Sequence, residues 1–129
     1  MILTGEINAG KSTVVNALIG DNLLSVGIRR TSLINSIVTN DSSKVINDRF
    51  FKNFNIKIWD TVGFNDPEKD SEQYKWLTDN LYDCDILIFT TSYDKCFHTD
   101  SERKTYKKIY DQYLTMKKFG HNIKFFVLI

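Results

Sequence analysis

One proline and six glycines in 129 residues are too few for a collagen-like chain or a flexible linker. Two cysteines, Cys84 and Cys96, cannot build a disulfide framework, and no metal-ligand spacing surrounds them. They read as two reduced thiols of an intracellular protein. No stretch approaches the ~18 apolar residues of a membrane span, and the N-terminus lacks the basic start and long apolar run of a signal peptide. Neither sign of charge prevails. Seventeen Lys and Arg against 16 Asp and Glu leave +1, which gives no support to a chain that wraps nucleic acid or carries an acidic tail. Internal repeats and low-complexity linkers are missing too. What is present is core material, 42% hydrophobic and 13% aromatic, more than a disordered chain carries. The expectation is a soluble cytoplasmic protein with one domain over residues 1–129.

The apolar pattern alternates between two periods. Met1 to Thr4 is a short apolar run stopped by Gly5, as in a buried strand. Lys11 to Ile19 carries Val14, Val15, Ala17, Leu18 and Ile19 at helical spacing and ends at Gly20. Residues 21–30 read as loop, followed by strands over Leu33–Thr39 and Lys44–Ile46. Asn55–Trp59 alternates as a half-buried strand and can pair with Leu33–Thr39 as a hairpin. Pro67–Leu81 is a helix with Tyr74, Leu77 and Leu81 on one face. Asp85–Thr91 is apolar throughout, as a strand covered on both faces is. Thr99-Asp-Ser-Glu102 is a capping-box pattern opening a helix with Tyr106, Ile109, Tyr110, Tyr113 and Leu114 inward, stopped by Gly120. Its lysines read as a solvated face rather than a membrane or nucleic-acid surface. Ile123–Ile129 reads as another buried strand. Alternating strands and helices give an α/β class with a mostly parallel sheet covered on both sides.

Gly5-Glu6-Ile7-Asn8-Ala9-Gly10-Lys11-Ser12 satisfies G-x-x-x-x-G-K-S, the P-loop pattern, between a predicted strand and a predicted helix. Gly5 and Gly10 let the backbone curl so that N–H groups from Asn8 to Thr13 converge on a phosphate. The helix opening at Lys11 adds its positive end. Lys11 supplies a charge for the terminal phosphates, and Ser12 a hydroxyl for Mg²⁺. Asp60-Thr-Val-Gly63 leaves the carboxyl end of a strand. A carboxylate there can hold Mg²⁺, and the Gly63 N–H can meet a γ-phosphate. D-x-x-G alone is a common turn; it gains weight because its strand is expected beside the first, where loops share one crevice. Between the two motifs, Gly27-Ile-Arg-Arg-Thr31-Ser32 offers a mobile hydroxyl for Mg²⁺. Thr31 is the choice, Ser32 nearly as good, and an ordinary polar loop the alternative. Arg29 and Arg30 read as solvated.

Residues 5–20, with Asn8-Ala-Gly-Lys-Ser-Thr-Val-Val-Asn-Ala-Leu-Ile-Gly20, resemble the P-loop and first helix of dynamin-like GTPases. They are similar, too, to the group of septins and bacterial ribosome-assembly and tRNA-modification GTPases. Leu23-Leu-Ser-Val-Gly-Ile-Arg-Arg-Thr31 resembles the dynamin-like approach to the first switch, with Ser25 where proline is usual. Asp60-Thr-Val-Gly-Phe64 looks most like the septin form of the third motif. The resemblance implies a P-loop three-layer fold and a GTP-binding switch with Mg²⁺-dependent hydrolysis. Lys11, Thr31 and Gly63 would be catalytic, and Gly5, Asn8, Ala9, Gly10, Lys11, Ser12 and Thr13 would hold nucleotide. Ser12, Thr31 and Asp60 would ligate the metal. Phe64 stands where many small GTPases carry the water-orienting Gln, so another aid to hydrolysis is implied. Asn8 matches an asparagine that ligates K⁺ in cation-dependent relatives, and is equally readable as a loop-stabilising amide. Self-association through the same domain is implied with it; membrane association has no support in the residues, and no nucleic-acid partner is expected.

Two other readings stand beside this one: a septin-like assembly module that binds nucleotide without turnover, and an ATP-using P-loop enzyme. The base-reading Asn- or Thr-Lys-x-Asp stretch of such GTPases is expected just after the strand resembling Ile123–Ile129, where the sequence given ends. The sequence therefore reads as an incomplete G domain, for which weak base selectivity and aggregation are expected.

Overall fold

The computed structural model describes residues 1–19, 34–39, 57–61, 63–65 and 70–129. The loop over 21–30, the candidate switch residues Thr31 and Ser32, the strand over 44–46 and Pro67 lie outside these residues. The described elements are β1 (Ile2–Gly5), α1 (Lys11–Ile19), β2 (Ile34–Thr39), β3 (Lys57–Thr61), α2 (Asp70–Asn80), a 3-10 turn (Leu81–Asp83), β4 (Ile86–Thr90), α3 (Asp100–Lys118) and β5 (Lys124–Leu128).

The strands form one sheet in the order β2-β3-β1-β4-β5. β3, β1, β4 and β5 run parallel, and β2 pairs antiparallel with β3, as a hairpin pairing requires. β1 lies at the centre and all four of its residues are buried, which is why it lacks the alternation of a strand with one wet face. Successive side chains still serve opposite faces. Leu3 joins Val15 and Ile58 under α1, with Val14, Leu18 and Ile88 around them. Ile2 points the other way, to Leu77 of α2, Ile109, Tyr113 and Met116 of α3, and Leu87 and Phe89. Helices on both faces of a mostly parallel sheet make a three-layer α/β fold of the P-loop NTPase kind.

α3 is closed at both ends by its own sequence. The Thr99 hydroxyl accepts from the Glu102 N–H at 3.2 Å. At the far end Gly120, at φ +87°, lets its own N–H reach the Lys117 carbonyl and the His121 N–H reach that of Met116, a Schellman stop. Only half of the expected capping box forms. The buried Glu102 carboxylate turns inward, taking the Thr91 hydroxyl at 2.5 Å and the Phe97 N–H at 2.6 Å. Tyr106, Tyr110 and Tyr113 pack against Phe125 of β5, while Lys104, Lys107, Lys108, Lys117 and Lys118 face solvent.

Two expectations of burial fail here. Leu114 is 37% exposed, on the lysine side of α3. Among the described residues β5 is the edge strand, and it is largely exposed. In register, Phe126 lies opposite Ile88 on the face that α1 covers, yet Phe126 is 53% exposed and Val127 and Leu128 are open as well. A continuous apolar run records β-propensity, not whether a neighbour covers it.

Candidate functional site

The loops leaving the carboxyl ends of β1 and β3 are neighbours because those strands pair in parallel, Leu3 opposite Asp60. An open α/β sheet forms its ligand crevice at such a place. The first loop runs from Gly5 to Gly10 and turns by left-handed backbone at Gly5 (φ +147°), Asn8 (φ +61°) and Gly10 (φ +84°). Gly5 also has no room for a side chain, since a Cβ would lie 2.2 Å from the Thr90 carbonyl oxygen. The first turn of α1 closes with the Val14 N–H on the Gly10 carbonyl at 2.9 Å. The N–H groups of Lys11, Ser12 and Thr13 precede that bond, at the positions whose donors have no partner within a helix. Ala9 is buried beneath the loop, while Asn8 and Thr13 are exposed at its rim.

Lys11 is 6% exposed. Its Nζ donates to the Glu6 carbonyl at 2.7 Å and lies 3.4 Å from that of Gly5, so the lysine arches across the loop. Burial brings its pKa down from 10.5 to about 8, with the Lys95 charge pushing the same way and the Asp60 and Glu6 carboxylates opposing.

Ser12 and Asp60 meet directly. The Ser12 hydroxyl donates to Asp60 Oδ2 at 2.6 Å across 48 residues of sequence. The other oxygen, Oδ1, is buried and has no hydrogen-bond partner among the described residues. Burial raises the Asp60 pKa, opposed by the Ser12 hydrogen bond and the Lys11 charge. A buried, orphaned carboxylate oxygen beside a hydroxyl is a hard-oxygen donor pair that fits Mg²⁺. Among the described residues no three His, Cys, Asp or Glu side chains gather to hold a metal by themselves.

Gly63 lies against the first loop so closely that a Cβ would come within 2.3 Å of the Ile7 backbone nitrogen and Cα. The Phe64 N–H donates to the Gly5 carbonyl at 2.9 Å and the Ile7 N–H to that of Phe64 at 3.1 Å, which zips the two motifs together. Gln73 of α2 reaches the Gly63 carbonyl at 3.5 Å. The Phe64 ring is 2% exposed and packs 4.3 Å from Tyr74, inside the core rather than over the crevice. The geometry thus brings together Gly5, Ala9, Gly10, Lys11, Ser12, Asp60 and Gly63, while Thr31 falls outside the described residues.

Residues 1–129 match the family described as 50S ribosome-binding GTPase. The chain belongs to that family. The chain is also similar to R618, an uncharacterized protein of Acanthamoeba polyphaga mimivirus, with 23% identity over 67% of this chain and 22% of the viral protein. It therefore spans about a fifth of the length of that relative.

One part of the candidate site went unseen in the sequence. Glu6, at a variable position of the loop, is 2% exposed. It meets Ser101 at 2.8 Å and the Lys95 ammonium at 3.6 Å. No local pattern marks these partners, because the contacts join segments far apart in the chain.

Proposed function

We propose that this chain binds GTP with Mg²⁺ and hydrolyses it as a nucleotide switch of the dynamin-like kind. One observation carries the reading: Ser12 and Asp60 are brought to hydrogen-bonding distance while the second Asp60 oxygen is kept dry and unpaired. The main-chain N–H groups of residues 8–13 and the Lys11 ammonium bind the phosphates. Gly63 carries its N–H to the place where a γ-phosphate extends beyond them, and its lack of a side chain lets it sit against Ile7. Ser12 and Asp60 would hold the metal, joined by Thr31; when bound, it neutralises phosphate charge as the terminal bond breaks.

Phe64 has no group that can orient water, so transition-state charge must come from elsewhere. Asn8, exposed at the left-handed tip of the loop, is the proposed K⁺ ligand, and self-association of two such loops is the proposed way to exclude water.

Phosphate release from GTP by the full chain tests the reading. Turnover that requires Mg²⁺, rises when K⁺ replaces Na⁺, and falls at least ~100-fold in Asp60→Ala is expected. GTP retained stoichiometrically without turnover would instead favour a septin-like assembly module, and use of ATP in clear preference to GTP an adenine-nucleotide enzyme.

A further inference from the structure

Glu6 is an odd residue for a phosphate-binding loop. It places a buried carboxylate within the eight-residue segment that must receive a polyanion, and in a poorly screened site the two repel. The structure answers this charge from another loop. Lys95, between β4 and α3, lies with its Nζ 3.6 Å from Glu6 Oε2 and 3.4 Å from the Ile7 carbonyl oxygen. It touches the side chain of one P-loop residue and the backbone of the next. Ser101 Oγ meets the other carboxylate oxygen at 2.8 Å and fixes its direction.

Lys95 is not a wandering surface lysine. Its loop is pinned by backbone bonds from Lys95 and Cys96 N–H to the Ser92 carbonyl at 3.0 and 2.9 Å. The chain then passes through left-handed backbone at Cys96 (φ +29°) and Phe97 (φ +64°). That turn is held by the Phe97 N–H on the buried Glu102 carboxylate and by the Phe97 ring against Phe89 and Tyr106. The left-handed turn, uncommon for bulky side chains, is over-determined by its surroundings. The segment so held carries Lys95 beside the P-loop, where its ammonium meets Glu6 and Ile7.

We propose that Lys95 is a positioning residue of the phosphate site: it cancels the Glu6 carboxylate from behind the loop and ties down Ile7, so that the loop's forward face meets phosphate without an opposing charge. This rests on the triphosphate-binding reading above and assigns that site a second lysine, on a different loop from the first. The pair contributes almost no net charge, so its two members act on phosphate affinity with opposite signs. Removing Lys95 exposes the ligand to Glu6; removing the Glu6 charge leaves an uncompensated cation.

The test is a double-mutant cycle in the full chain, read as equilibrium binding of N-methylanthraniloyl-GTP at millimolar Mg²⁺. Lys95→Met is expected to weaken binding on the order of tenfold, Glu6→Gln to leave it equal or tighter, and Glu6→Gln/Lys95→Met to return it to within about twofold of the parent. Lys95→Arg keeps the charge and is expected to keep the affinity. A merely structural lysine would lower the melting temperature of Lys95→Met and leave the affinity of the folded protein unchanged, so thermal melts accompany each binding measurement. Unchanged binding in Lys95→Met overturns the proposal, as does a double variant no better than Lys95→Met. Should Lys95→Met not fold, a loss of affinity in Glu6→Gln overturns it alone. If the parent itself binds no nucleotide, the underlying reading fails with it. If the parent binds and Lys11→Ala does not, a flat cycle rejects only the role of Lys95.

Discussion

The Ser12 hydroxyl and the Asp60 carboxylate, 48 positions apart in sequence, are 2.6 Å apart in the fold. The contact follows from sheet topology. β1 and β3 are parallel neighbours, so the loop that becomes α1 and the end of β3 open on the same edge. The remaining Asp60 oxygen is left buried with no partner among the described residues, an arrangement that costs a few kcal/mol unless a cation completes it.

Lys11 makes nucleotide affinity depend on alkaline pH. Burial holds its pKa at about 8, below the ordinary 10.5, and a bound phosphate must raise it again. Affinity is therefore expected to be flat below pH 8 and to fall above it, with proton uptake on binding. Calorimetric titration in two buffers of different ionisation enthalpy measures that uptake; no uptake at pH 9 would contradict it. The same shift acts on folding with a defined sign. Between pH 8 and 10.5 the unfolded chain binds more protons than the folded one, so the Lys11 contribution makes the nucleotide-free chain more stable as pH rises through that window.

Phe64→Gln separates a core role from a catalytic vacancy. The ring is buried against Tyr74, so placing an amide there is expected to lower stability by about 2–4 kcal/mol without raising the rate of GTP hydrolysis. Denaturant melts and phosphate release, measured on the same preparation, decide it. A faster variant of unchanged stability would show that position 64 reaches the nucleotide.

Gly63→Ala forces a methyl group to within 2.3 Å of the Ile7 backbone. The two motifs must separate, which is expected to cost more than about 2 kcal/mol and to weaken GTP binding. Gly120→Ala is the control. Its Cβ would meet nothing within 4 Å, so only the left-handed backbone is penalised, by about 1 kcal/mol, with binding unaffected.

Glu102→Ala strips partners from the Thr91 hydroxyl and the Phe97 N–H at once. The expected loss of stability is about 3 kcal/mol or more by thermal or denaturant unfolding. Glu102→Asp, too short to span both, is expected to recover only part of it.

The bounds of helix α1 were legible because its signals are local: the predicted Lys11–Ile19 is the observed helix, although Ala17 of its expected buried face is exposed and Asn16 is buried. Asp60 and Ser12 could be paired in advance since parallel neighbours send their loops to one edge. β5 was legible as a strand of the parallel sheet, but its covering was not, because Ile123–Ile129 has the same apolar content whether or not another element covers it, and Phe126 lies open. The capping box misled in a similar way. Thr99-x-x-Glu102 has the right spacing, but the buried hydroxyl of Thr91 and the Phe97 N–H compete for the carboxylate and win. Glu6 and Lys95 carry no signature at all, as a variable loop position and a turn lysine separated by most of the chain. Thr31, chosen from its loop and hydroxyl, lies outside the described residues.

Binding of labelled GTP by the full chain and by Lys11→Ala, at millimolar Mg²⁺ and neutral pH, tests the central claim most directly. Lys11 spans the loop from beneath, with its ammonium 2.7 Å from the Glu6 carbonyl, and the account predicts that the parent binds while the variant loses at least ~100-fold in affinity. Equal binding by both, or binding by neither, would contradict it.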